Sequence, residues 1–176
     1  MKKELIVHFS FMIAFLALSS IFQKWLSLDY WPIWVGGIMG TLLPDIDNLV
    51  SSQFLGNQES FLQNKSLSVK AKIGEASRLM FSERVEAQNL IFHNAQFQLI
   101  FVIFTFLLIT SSGSLLGIGL VLSFMLHLII DQIVDLVETR NIDRWFKDFP
   151  IPLDGKNKVW YLFANIIFVL AFGFFL

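Results

Sequence analysis

Residues Leu115–Val137 read LLGIGLVLSFMLHLIIDQIVDLV. A hydrophobic stretch of about 20 residues suffices to span the hydrocarbon core of a bilayer as a helix, and this run is longer. Ionisable groups inside such a span are costly and usually face a bundle interior or a cavity. His127 and Asp131 are spaced i, i+4, so they share one helix face, and Ser123 and Asp135 extend that stripe. The stripe is predicted to point into a helical bundle, with Asp135 and Glu138 marking where the helix reaches water.

The rest of the chain agrees with a membrane reading. It has 176 residues, 55% of them hydrophobic, with 20 Phe and a charged fraction of 15%. Mean hydropathy is +0.65. Globular chains carry about 25% charged residues. Cysteine is absent, which excludes disulfides and thiolate metal sites. The 13 Lys/Arg are confined to a few loops and form no basic nucleic-acid footprint.

Outward from Leu115–Val137, four further apolar segments appear. Leu5–Phe22 follows Lys2 and Lys3 and is long enough to span. A cleaved signal peptide is the competing reading, but the small-residue cleavage pattern is poor, so a retained helix is preferred. Trp25, Tyr30, Trp31 and Trp34 form an interfacial aromatic group. Trp31–Leu43 contains Gly36, Gly37 and Gly40, which read as helix-packing positions. It is short, so it is either a thin transmembrane helix or a re-entrant segment. Asn89–Thr110 and Val159–Leu176 complete the set, and a tight turn at Ser111–Ser114 joins two spans. The phenylalanines Phe92, Phe97, Phe101, Phe104 and Phe106 read as packing or lipid-facing surface. The expected fold is therefore all-α, one integral membrane domain over residues 1–176 with about five transmembrane helices. Polar loops cover about 45–88 and 138–158, and an interfacial amphipathic helix is expected at Val69–Ala87.

Loop charge sets the orientation. With five crossings, twelve of the 13 Lys/Arg lie on one side and only Lys24 opposite, so the N-terminus is expected to be cytoplasmic. A re-entrant second segment would put Lys2 and Lys3 on the opposite side from both basic loops.

This topology brings the sparse polar groups together. His8 lies early in the first span, Asp45 and Asp47 in TLLPDIDN (Thr41–Asn48) leave the second, and His93 enters the third. His127 and Asp131 lie in the returning half of the fourth. All six fall in the cytoplasmic half. Taken singly, His8 and His93 read equally as interfacial histidines, and Asp45 and Asp47 as turn or capping residues. Together, imidazoles and carboxylates suit a divalent metal, Zn2+ first and Mn2+ second.

The order of these elements resembles the LexA-regulated membrane-bound metal-dependent hydrolases, the YdjM-like family. The resemblance rests on an N-terminal helix with His8, LLPDID after a Gly-rich apolar run, His93 opening a hydrophobic helix, and LSFMLHLIID ending at Asp131. It covers roughly Met1 to Pro152. It implies a bacterial inner-membrane protein in which His8, Asp45, Asp47, His93, His127 and Asp131 are metal ligands. One departure stands out: Gln88 and Asn89 occupy the place of a His-Arg pair, and Phe92 and Asn94 replace Thr and Ser. Arg84 is a candidate replacement cation.

The function expected is a metal-dependent hydrolase acting at the cytoplasmic face, on a phospholipid or other amphiphilic ester, with Asp47 and Asp131 as catalytic carboxylates. Membrane lipid is the expected partner. The alternatives are a catalytically degenerate membrane scaffold, motivated by Gln88 and Asn89, and a proton or ion transporter. The last fits less well, because polar groups do not continue through the full membrane depth.

Overall fold

The computed structural model describes residues 2–47 and 91–175. Those residues form five α-helices and two short 3-10 turns, with no strand among them. The helices are α1 (Lys2–Phe22), α2 (Trp31–Leu42), α3 (Ala95–Ser111), α4 (Leu115–Thr139) and α5 (Gly155–Phe175). The 3-10 turns are Leu28–Tyr30 and Asp143–Phe146. The amphipathic helix expected at Val69–Ala87, together with Arg84, Gln88 and Asn89, lies outside the described residues.

Local chemistry sets the helix ends. Asn94 caps α3 by accepting a hydrogen bond from the Phe97 backbone N–H at 2.7 Å. Asn serves as an N-cap as well as Ser or Thr. Ser114 does the same for α4 through the Gly117 N–H. Pro44 cannot continue the i→i−4 ladder, and α2 stops just before it. Single turn bonds from the Ile46 and Asp47 N–H groups then carry the chain round.

The helices alternate in direction. Phe22 and Phe174, at the ends of α1 and α5, pack in a tilted pair with ring centroids 5.1 Å apart. At the opposite end, the Tyr161 hydroxyl in the first turns of α5 donates to the Ala95 carbonyl at the start of α3. α4 is the central helix and contacts each of the other four. Its residues Leu122, Met125 and Ile129 join Met12, Leu16 and Ile33 in the main core.

α2 runs one way along α4, from Gly36 beside Leu116 to Gly40 beside Leu120 and on to Asp45 beside His127. It does not double back. At 1.5 Å per residue its 12 residues cover about 18 Å, which is short against a hydrocarbon core of about 30 Å. The two backbones meet directly. A Cβ at Gly36 would lie 2.0 Å from the Leu116 carbonyl oxygen, one at Gly40 2.1 Å from that of Leu120, and one at Gly119 2.0 Å from that of Ile33. Small residues permit such close approach where dispersion and Cα–H···O contacts must hold helices together.

Three helices, α1 from Glu4 onward, α4 and α5, are long and apolar enough to cross a membrane, and α3 is a shorter apolar helix. Large side chains such as Phe11, Ile13, Ile103, Leu107, Phe163 and Ile167 face outward. A continuous apolar exterior of this kind suits lipid rather than water. Two of the Phe-rich positions, Phe104 and Phe106, belong to it, whereas Phe97 and Phe101 pack inward on Phe124.

Gly36→Ala combined with Gly40→Ala is expected to destabilise the bundle by at least about 1–3 kcal/mol through overpacking. Gly113→Ala, whose Cβ would meet nothing within 4 Å, should be neutral. Thermal unfolding in detergent measures both.

Candidate metal centre

α4 carries His127 and Asp131 on its buried face, and three other segments bring their polar groups to it. The Asp131 carboxylate is 8% exposed and surrounded by imidazole. His8 Nε2 lies 3.3 Å from Oδ1, and His93 Nε2 and His127 Nε2 lie 3.1 and 3.2 Å from Oδ2. The His8 and His127 rings stack at 4.1 Å. Asp45 Oδ1 reaches to 3.6 Å from His127 Nε2. All six residues singled out in the sequence thus meet at one end of the bundle. Their placements differ, however. Ligand atoms of His8, His127 and Asp131 all lie within 4.8 Å of one another, forming a buried group that can hold a metal ion. Asp47 instead backs His93: its Oδ2 accepts from the Phe92 backbone N–H and faces His93 Nδ1 at 3.4 Å.

The donor set is suited to a cation. His8 Nδ1 is 2.9 Å from the Glu4 carbonyl oxygen, and a carbonyl only accepts, so that nitrogen carries the proton. In a neutral ring the Nε2 lone pair then faces a carboxylate oxygen. His93 has a carboxylate oxygen at each ring nitrogen, although a neutral imidazole donates from only one. Two acceptors pressed together in a buried site repel unless a proton or a metal ion lies between them. Both His8 Nε2 and His127 Nε2 are buried and, among the described residues, lack a hydrogen-bond partner of acceptable geometry, although both are close to Asp131.

Asp135 departs from its expected place at the water boundary. It is buried, and its Oδ2 accepts from the Trp145 indole N–H at 2.7 Å and pairs with Arg144 at 2.7 Å. The cause is the 3-10 turn Asp143–Phe146, which folds back over the end of α4 and buries Trp145 and Phe146. Glu138 is exposed, as expected. The Trp145 ring also packs 5.7 Å from that of His93, joining the turn to the cluster. Lys158 fastens the turn to α5 by pairing with Asp143 at 2.6 Å. This ion pair holds the exposed Asp143 carboxyl below its ordinary range. Sequence reading also missed the buried amide pair in which Gln132 Nε2 donates to Gln98 Oε1 at 2.7 Å, tying α3 to α4. Its one sequence signal was the placement of two amides inside otherwise apolar runs.

Compared with known proteins, the chain matches no family model, no curated protein and no solved structure. The fold and site define its class: an all-α bundle with the length, composition and exterior of a membrane protein, and a buried His/Asp group at one end able to hold a metal ion.

Trp145→Phe removes the indole donor from the buried Asp135 carboxylate. The expected loss is about 1–3 kcal/mol, seen as a lower unfolding temperature, with metal binding at His8, His127 and Asp131 retained. Loss of metal without loss of stability would contradict this division of roles.

Proposed function

We propose that the protein is a membrane-embedded, metal-dependent hydrolase acting on a phospholipid or another amphiphilic ester at the cytoplasmic face of a bacterial inner membrane. The observation that carries this reading is the convergence of three imidazoles on the buried Asp131 carboxylate. The resemblance of LLPDID, His93 and LSFMLHLIID to the YdjM-like family supports the same reading, and the loop-charge partition supports the orientation. His8, His127 and Asp131 would hold the ion, with Asp45 beside them. Zn2+ is favoured and Mn2+ is second, because the donors are imidazole and carboxylate with no thiolate.

The chemistry such an ion supplies when bound is Lewis acidity, polarising a phosphoryl or carbonyl oxygen and lowering the pKa of water to about 7. The protein's own groups do the rest. Asp47 orients His93 through Nδ1, leaving Nε2 turned into the cluster, where it can accept or return a proton. The carboxylate–histidine arrangement also fixes the tautomer and raises the basicity of the inward nitrogen. The Trp145 ring packs on His93, which is buried. The site lies a few turns inside the bundle end, the depth at which headgroup esters and phosphates are found.

Purified protein in lipid nanodiscs should hydrolyse at least one member of a panel of phospholipids and lipid phosphates. Turnover should stop with chelator and return with Zn2+ or Mn2+. Asp131→Asn should abolish it, and Asp47→Asn should lower it about 10–100-fold, the usual cost of removing a ligand's supporting carboxylate. Full metal occupancy with no turnover of any amphiphile would overturn the reading in favour of a scaffold.

A further inference from the structure

We infer that Arg144 is a specificity-determining residue that receives the phosphate group of a phosphorylated amphiphile and orients it toward the His8/His127/Asp131 cluster. The inference rests on the reading of that cluster as a reaction centre for membrane lipids, and it adds the substrate class.

Placement comes first. Asp135 is one helical turn beyond Asp131 on α4, a rise of about 6 Å on the same face. Arg144 Nη2 is held 2.7 Å from Asp135 Oδ2. The next residue, Trp145, donates to the same oxygen and lies with its ring beside that of His93, which itself touches Asp131. The turn bearing Arg144 is therefore clamped against the cluster from two directions. Its position is set by a buried tryptophan rather than by a free loop.

Availability comes second. The Asp135 side chain is almost fully buried, but that of Arg144 is 45% exposed. One terminal nitrogen meets the carboxylate, and the guanidinium carries five N–H donors in a planar fork that suits bidentate phosphate recognition. The ion pair offsets the burial of Asp135, yet it engages only one edge of a guanidinium whose side chain is 45% exposed. Keeping the fork half outside, one residue from the tryptophan packed on His93, suits an external anion. Of the other described cations of this segment, Lys147 and Lys156 are exposed, and Lys158 is committed to Asp143 and lies over the Phe146 ring, with its side chain only 15% exposed. Arg140 is exposed beyond the end of α4, in the left-handed conformation that terminates the helix, and has no such anchor among the described residues.

A substrate reaching both points needs a negatively charged phosphate near the bundle end and an apolar tail along the lipid-facing exterior. Lipid monophosphates and anionic phospholipids have that form. Neutral glycerides do not.

The test is binding of dioctanoyl phosphatidic acid, dioctanoylglycerol and inorganic phosphate to the full-length protein in detergent, by native mass spectrometry or calorimetry. Wild type is compared with Arg144→Gln, Arg144→Lys and Arg140→Gln, each with and without added Zn2+. Arg144→Gln is expected to weaken phosphatidic acid binding about 10-fold or more, and Arg144→Lys to fall between. Arg140→Gln should bind as wild type, and dioctanoylglycerol binding should be unchanged throughout. Unfolding temperature and metal content serve as controls, because a purely structural role would move all ligands together. Equal phosphatidic acid affinity in Arg144→Gln and Arg140→Gln would overturn the inference. So would Arg144-dependent binding of inorganic phosphate as tight as that of phosphatidic acid, which would assign the position to free phosphate. Failure of the metal reading would show separately, as absence of bound Zn2+ with the Arg144 dependence intact.

Discussion

Moving a carboxylate from water into a protein interior costs several kcal/mol even after relaxation, and the cost falls only when charge and hydrogen bonds are supplied on site. Asp131 meets that condition through three imidazoles drawn from three helical segments: His8 from α1, His93 from the entry to α3, and His127 from its own helix α4. Each imidazole needs its own anchor. The Glu4 carbonyl fixes His8, and Asp47 with Trp145 fixes His93. The two chain turns carrying Asp45, Asp47 and His93 must reach the same end of the bundle for this to work. The alternation of helix directions follows from that requirement as much as from packing.

The glycine contacts serve it as well. Asp45 and His127 approach to 3.6 Å because α2 and α4 touch backbone to backbone at Gly36, Gly40 and Gly119. In a bilayer the hydrophobic effect does not drive helices together, so shape complementarity and close dispersion contacts must do it. A wider separation of α2 from α4 would withdraw Asp45 from His127. In this sense a packing feature of the short helix α2 is also a feature of the site.

Much of this was legible in the sequence, for identifiable reasons. Apolar runs of spanning length separated by basic loops admit few arrangements other than a helical bundle, and His127 with Asp131 at i, i+4 leaves their shared face in no doubt. The glycine spacing in α2 reads directly as a close helix contact. Sequence spacing carries no information on how a polar loop folds back, so Trp145 and Arg144 were unseen and Asp135 was placed at the water boundary. Nor could spacing separate Asp47 from Asp45. Both follow Pro44, and only the three-dimensional turn sends one to His93 and the other to His127.

Metal content of the detergent-purified protein tests the central claim most directly, measured by mass spectrometry for wild type and for a His127→Ala/Asp131→Ala variant. A buried carboxylate ringed by imidazole nitrogens able to hold a metal ion predicts near-stoichiometric zinc or manganese in the wild type and little in the variant. No metal in either protein, after loading with excess Zn2+ or Mn2+, would contradict the account.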